Sequence, residues 1–212
     1  MDIEKNKQPM KMLKPFGPSV LKLIIPDKTL VSLNKYVDEI INDEVKMKKL
    51  DHGSDLAGNV NQEFFLETEF MKEIKWAEFL ASACKEWVKH EQNKQLKSFQ
   101  ITKSWIVRQF KHEYNPIHWH SGHISGVGYL KVPNSFGKTY QENKQNNNGK
   151  LVLVHGSRSL FSESSYIIKP QVGDLYMFPS YLMHSVYPFY DTDEERRSIS
   201  FNAKIDENSS TF

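Results

Sequence analysis

Cysteine is almost missing from this chain: Cys84 is the only one among 212 residues. A lone cysteine excludes an intramolecular disulfide and a Cys-based zinc site, and it suits a reducing compartment. Excess charge is missing too, since Lys+Arg 28 against Asp+Glu 26 leaves a net charge of +2. Nucleic acid gains no support from that balance. No stretch approaches the ~18 continuous apolar residues of a membrane span, and the polar start Met1-Asp-Ile-Glu-Lys5 has no apolar export signal. The expected location is therefore the cytoplasm. What remains, 39% hydrophobic and 25% charged, describes an ordinary globular chain long enough for one full core.

Histidine is what the chain concentrates. Four of its eight histidines, His112, His118, His120 and His123, lie close together, three of them in Asn115-Pro-Ile-His118-Trp-His120-Ser-Gly-His123-Ile. Side chains two apart in an extended chain point to one face, so His118 and His120 are predicted to project together as a metal pair. His184, in Gly173-Asp-Leu-Tyr-Met-Phe-Pro-Ser-Tyr-Leu-Met-His184, is the candidate third ligand. Three ligands on one side of an ion leave the opposite positions open for substrate or oxygen. His123 has the wrong parity, but a turn or bulge at Ser121-Gly122 could re-aim it as a substrate contact near the site. His112 precedes the break at Asn115-Pro116 and is expected at the surface. His52, His90 and His155 are read as ordinary polar residues.

Residues 1–14 read as a flexible Lys-rich arm. A strand is expected over Phe16–Ile25, then a helix from Asp27 to about Leu50, whose Leu30, Leu33, Val37, Ile40, Ile41 and Val45 recur at helical spacing. The Gly- and Asp-rich stretch 51–59 is a linker, and a second helix is expected over 68–90 with a broad apolar face. From about residue 97 the period changes to two, and strand signals continue almost to the C-terminus. These include residues 100–110, the histidine strand to Val132, and segments beginning at residues 150, 166, 174, 184 and 196. The reading is one α+β domain over 15–205, with a helical part at 27–93 packed on one side of a jelly-roll core at 97–205 and a tail at 206–212. The polar loop 134–149 is either a lid over the site or a disordered insertion.

The last strand alternates cleanly: Arg196, Ser198, Ser200 and Asn202 share one face, and Arg197, Ile199, Phe201 and Ala203 the other. An arginine on an inner face needs an anion, and its forked donors fit a carboxylate. The competing reading is an edge strand that begins in solvent after the acidic turn at 191–195.

Phe16-Gly-Pro, Leu56-Ala-Gly, Asn115-Pro-x-His118-x-His120 followed by Ile124-Ser-Gly-Val-x-Tyr-Leu130, the Gly173 to His184 stretch and Arg196-x-Ser-x-Ser-Phe-Asn202 together resemble a family of 2-oxoglutarate and Fe(II)-dependent oxygenases frequent in marine bacteria and phages. The resemblance covers about residues 15–205. It implies a double-stranded β-helix of the cupin-like jelly-roll type, and Fe(II), 2-oxoglutarate and O2 as cofactor and co-substrates. It also implies an oxidoreductase, a hydroxylase by default, that releases succinate and CO2. Carried over, His118, His120 and His184 are the catalytic metal ligands, and Arg196 and Ser198 grip the far carboxylate of 2-oxoglutarate. Tyr129 and Asn202 are added as further co-substrate contacts. Trp105, Tyr129 and the 134–149 loop are expected to help form the substrate end. The wider superfamily has a carboxylate where this chain has His120. The alternative is a cupin-like three-histidine dioxygenase that does not use 2-oxoglutarate, or a non-catalytic module binding a metal or a small acid. Gly173, Pro179 and His184 match a cupin motif in which Tyr181 replaces a glycine. The expected partner is a small-molecule or peptide substrate, with no membrane and no nucleic acid; a homodimer stays open.

Overall fold

A computed structural model describes residues 10–13, 17–139, 141 and 143–206. Its elements are, in chain order, β1 (Lys11–Leu13), β2 (Val20–Ile24), α1 (Asp27–Ile41), α2 (Glu44–Leu50), β3 (Gln62–Phe65), α3 (Thr68–Glu73), α4 (Trp76–Gln92), β4 (Phe99–Gln109), β5 (Asn115–His118), β6 (Ile124–Lys131), β7 (Leu151–Val154), β8 (Ser165–Ile168), β9 (Asp174–Pro179), β10 (Met183–Val186) and β11 (Arg196–Ile205). The strands form a seven-stranded sheet in the order β1-β2-β9-β6-β11-β4-β3 and a four-stranded sheet in the order β5-β10-β7-β8. All the pairings are antiparallel.

The large sheet is buried on both faces, which explains why β6 and β9 read as nearly unbroken buried runs. Its outer face packs Leu23, Ile106, Leu175, Met177, Ile199 and Phe201 against Leu33, Val37 and Ile40 of α1 and Trp76, Leu80 and Trp87 of α4. Those helix residues recur at three- and four-residue spacing, so each helix presents one apolar stripe to the sheet. The inner face packs Val127, Tyr129, Tyr176 and Phe178 against Leu151, Leu153 and Ile168 of the small sheet. Gly126 is what lets Phe201 lie flat on β6, because a Cβ there would come 2.4 Å from the phenyl ring. Among the described residues no helix is long and apolar enough to cross a membrane.

Several expectations change. The helix expected over 27–50 breaks at Asn42-Asp43, where the Asp43 carboxylate accepts from the Val45 and Lys46 amides at 3.0 Å and starts α2. Asp competes for backbone donors in this way, which favours a cap over a helix interior. The second helix breaks at Lys75, which takes a left-handed φ of 54° and separates α3 from α4. The arm expected over 1–14 loses Lys11–Leu13, which pair with β2 as an edge strand; residues 1–9 and 14 lie outside the described residues. Strand β3 was hidden between linker and helix signals. The histidine strand is two strands in two sheets: β5 belongs to the small sheet and β6 to the large. The chain crosses between them at Gly122 (φ 107°), held by the His120 amide on the Ser180 carbonyl and the His123 amide on the Ala203 carbonyl.

The 134–149 loop is not a lid over the histidines. Its described residues pack on segment 188–194, with Asn134 bonded to Glu194, the Lys138 amide to Asp191, and Phe136 edge-on to Phe189 at 5.4 Å between centroids. Its Asn side chains close it on itself: Asn146 donates to the Gly137 carbonyl and Asn148 to that of Phe136. Residues 140 and 142 lie outside the described residues.

Candidate metal centre

His118 ends β5 and stands directly across from His184 on β10, so the small sheet's register, rather than one strand's alternation, brings these two rings to 4.3 Å between centroids. His120 follows β5 in the crossing segment, 4.9 Å from each of the other two rings. One nitrogen from each of the three lies within 4.8 Å of the others, and among the described residues no Asp, Glu or Cys joins them.

The hydrogen bonds fix which nitrogens are free. Nδ1 of His118 is 2.7 Å from the Pro116 carbonyl and Nδ1 of His184 is 2.8 Å from that of Leu182. A carbonyl only accepts, so each Nδ1 carries the proton and each Nε2 is left with a lone pair. Nε2 of His120 and of His184 are 3.2 Å apart. Two neighbouring ligands of one ion, each at about 2.1 Å, would stand about 3.0 Å apart. The imidazoles therefore fit a shared divalent cation. Burial lowers the basicity of all three, against the bond to the Pro116 carbonyl at His118; neighbouring imidazoles add to the burial at His120 and His184, which are pushed down to about 3 and about 4. They are neutral near pH 7, the form that binds a metal. Trp105 stands edge-on to His120 at 5.5 Å and Phe178 edge-on to His184 at 5.1 Å.

A narrow cavity runs inward from the histidines between the two sheets, walled by Trp105, Val107, Val127 and Phe178 and reaching Ser200, Ser198 and Arg196 of β11. Strand β11 is central, between β6 and β4, which removes the edge-strand reading of its arginines. Arg197 faces the helices and is fully matched: it donates to Glu195 at 2.8 and 3.0 Å, to Asp38 at 2.8 Å and to Asn34 at 3.0 Å. Arg196 faces the cavity at 1% exposure and has no such match. Its Nε donates to the Gly149 carbonyl at 3.2 Å and its Nη1 to Ser198 Oγ at 3.4 Å, while Nη2 has no partner. The guanidinium lies 5.1 Å from the centre of the Tyr129 ring. The buried Tyr129 hydroxyl stands next to that guanidinium and meets no acceptor. Burial raises that phenol to about 12 although the charge of Arg196 works the other way. Two donors, one of them cationic, thus end unpaired in one dry place, which fits a carboxylate brought from outside.

The histidines His118, His120 and His184 are therefore brought together, with Arg196 and Ser198 deeper in the same cavity. Tyr129 lies beside Arg196, at the deep end and away from the substrate end expected for it. Asn202 shares the inner face but is held outside the cavity, where its Oδ1 accepts from Ser125 Oγ at 2.7 Å. His123 is turned away: its Nδ1 accepts from the Ile205 amide at 3.0 Å, and it lines a groove beside α4. The turn at Gly122 does not re-aim it toward the other histidines. The Gly149 carbonyl, which fixes Arg196, left no sequence signal. Asn115 also lines the cavity, although its place before Pro116 reads only as a strand break.

Three converging imidazoles and an unmatched arginine thus lie inside a double-stranded β-helix of the cupin-like jelly-roll class. Residues 103–202, which carry all of those groups, match the model of a family described as "Putative 2OG-Fe(II) oxygenase", so just under half of the chain is similar to that family. Solved structures of similar fold include a prolyl-4-hydroxylase from Pseudomonas putida (13% identity, TM-score 0.58, 86% of this chain and 91% of that one). AviO1 from Streptomyces viridochromogenes Tue57 is similar at 14% identity and TM-score 0.57, over 94% of this chain and 90% of that one. HygX from Streptomyces hygroscopicus, with nickel and 2-oxoglutarate bound, is similar at 12% identity and TM-score 0.52, over 86% of this chain and 81% of that one. At these identities the likeness is one of fold. No curated protein matches the sequence.

Proposed function

We propose that the chain is an Fe(II), 2-oxoglutarate-dependent hydroxylase in which His118, His120 and His184 hold the iron through Nε2 and Arg196 with Ser198 holds the distal carboxylate of 2-oxoglutarate. The observation that carries this reading is Arg196: a buried cation without a counter-ion, in the same cavity as the histidine cluster. Iron with bound 2-oxoglutarate supplies the oxidising power, coupling decarboxylation to succinate and CO2 with oxygen insertion into the substrate.

The chain's own groups bind, orient and keep the site dry. The carbonyls of Pro116 and Leu182 fix the tautomers of His118 and His184, so no proton has to leave Nε2 when metal enters. The Gly149 carbonyl and Ser198 hold the guanidinium in place, and Tyr129 supports it from one side while its hydroxyl is free to donate to the same carboxylate. Val107, Val127, Leu151 and Phe178 make the remaining walls apolar, which excludes water and strengthens each charge contact inside. Neutral ligands leave the full charge of the ion to attract the dianionic co-substrate.

The test is anaerobic Fe(II) loading, then titration with 2-oxoglutarate while visible charge-transfer absorption is followed, and succinate measured after air is admitted. The expected result is an absorption band and slow succinate release, and a His184→Ala protein that keeps its circular dichroism but binds no iron. Iron binding without a band and without succinate would give the place to the cupin-like three-histidine reading. A His184→Ala protein with full iron content would remove His184 from the ligand set.

A further inference from the structure

On its outer side the histidine cluster opens into a groove of about 450 Å³. One wall is the mouth end of the same inner face that carries Arg196. Along β11 that face runs Arg196, Ser198, Ser200, Asn202, Lys204, and along the antiparallel β4 it runs Gln109, Val107, Trp105, Lys103. Lys103 is thus two residues, about 7 Å, beyond the tryptophan that touches His120. Lys103 and Lys204 both line the groove, and neither ammonium has a carboxylate partner among the described residues. Lys103 is instead parked 5.5 Å over the ring of Phe65. Asp55 is the only carboxylate on the groove among the described residues, and its Oδ2 is 3.4 Å from His52 Nδ1. The groove is also lined by Trp119, which lies between His118 and His120 in the chain and is 65% exposed. Two unmatched cations, one flat apolar face and a volume suited to a small molecule stand next to the proposed iron.

We infer that the prime substrate is a small organic acid, a carboxylate or a phosphate ester with a flat or apolar body. Its anionic group lies between Lys103 and Lys204, and its body lies on Trp119 and presents a C–H bond to the metal. The inference rests on the oxygenase reading for the last clause only; the anion site stands on the groove itself. The charges divide the barrel into two anion sites of different kind. The deep one is dry and built around Arg196. The outer one is wet and built from two exposed lysines, so it binds more weakly and is screened by salt.

The test uses protein labelled with 5-fluorotryptophan, loaded with Zn(II) and excess 2-oxoglutarate. Phenylacetate, indole-3-acetate and phenyl phosphate are titrated against phenylacetamide, indole-3-acetamide and phenol, with Trp119→Phe assigning the fluorine signal. The expected result is a shift of the Trp119 resonance by at least one acid and not by its neutral partner. That affinity should fall about tenfold in the Lys103→Gln/Lys204→Gln double variant, and further with added salt. The acids that bind show whether carboxylate or phosphate is preferred. Equal binding of acid and neutral partner, an unaffected double variant, or no binding by any acid would each overturn the inference. So would binding lost in Arg196→Met instead, since the anion would then lie in the deep cavity. Failure of the oxygenase reading shows separately, as absence of succinate from the iron-loaded wild type, and does not alter the lysine dependence of this titration.

Discussion

Replacing Arg196 with Met should change stability in opposite directions with and without co-substrate. In the free protein the guanidinium is 1% exposed, holds two long hydrogen bonds to neutral acceptors and has no counter-charge. An ion buried without a partner costs several kcal/mol, part of which those two bonds and the Tyr129 ring return. Methionine fills a similar volume without that cost, so the variant should gain about 1–2 kcal/mol, or a Tm about 2–8 °C higher at the usual sensitivity of domains this size. With 2-oxoglutarate at a hundred times its Kd, wild type gains about 2.7 kcal/mol, worth about 5–11 °C. The variant loses two charge-assisted hydrogen bonds of roughly 1.5–3 kcal/mol each, which corresponds to a loss of affinity of ~10²–10⁴-fold and abolishes that shift. Differential scanning fluorimetry of both proteins, loaded anaerobically with Fe(II), with and without 2-oxoglutarate, reads all four values. A variant that is less stable without ligand, or one that keeps the wild-type response to 2-oxoglutarate, would refute the reasoning.

Two buried carboxylates should give opposite pH dependences. Both oxygens of Glu63 are buried without partners; burial first, then the charges of Asp51 and Glu113, raises it from 4.5 to about 7. The folded state thus holds a proton that the unfolded chain releases, so this group lowers stability as pH rises from 4.5 to 7 and then levels off. Glu63→Gln should remove that loss, gaining up to about 3 kcal/mol on wild type between pH 5 and pH 8 in urea unfolding; an advantage equal at both pH values would remove the assignment. Burial disfavours the charge of Glu195 as well, but hydrogen bonds from Arg197 and Arg108 outweigh it and hold the group at about 2. Its contribution, of the order of 3 kcal/mol, is present above pH 4.5 and is lost as pH falls towards 2. Glu195→Gln should therefore be clearly less stable than wild type at pH 7, with the gap closing in acid when unfolding is followed by circular dichroism; a constant gap would contradict this.

Much of the site was legible because its chemistry is written in residue type and short spacing. The pair His118 and His120, the downstream His184 and the alternation of Arg196 to Asn202 each needed only a few neighbouring residues to be seen. The helices were legible as apolar stripes but their breaks were not, since Asp43 as a cap and Lys75 in a left-handed turn depend on a few hydrogen bonds that the apolar period does not encode. His123 and the 134–149 loop illustrate the same limit: a Gly122 turn and an Asn-rich stretch each allow several outcomes, and contacts with Ile205 and with segment 188–194 choose among them.

The sequence by itself determined which groups could do chemistry: three imidazoles with no cysteine near them in the chain, and an arginine on a strand with a polar face. Only the tertiary structure decided how they meet. The crossing at Gly122 sends β5 and β6 into different sheets, and pairing with β10 sets His118 opposite His184. It also decided that Arg197 finds Glu195 and Asp38 while its neighbour Arg196 finds no counter-charge at all. The reason is one of range: side-chain type and parity act over two to four residues, whereas counter-ions and cross-strand partners come from segments far along the chain that only the packed fold brings within reach.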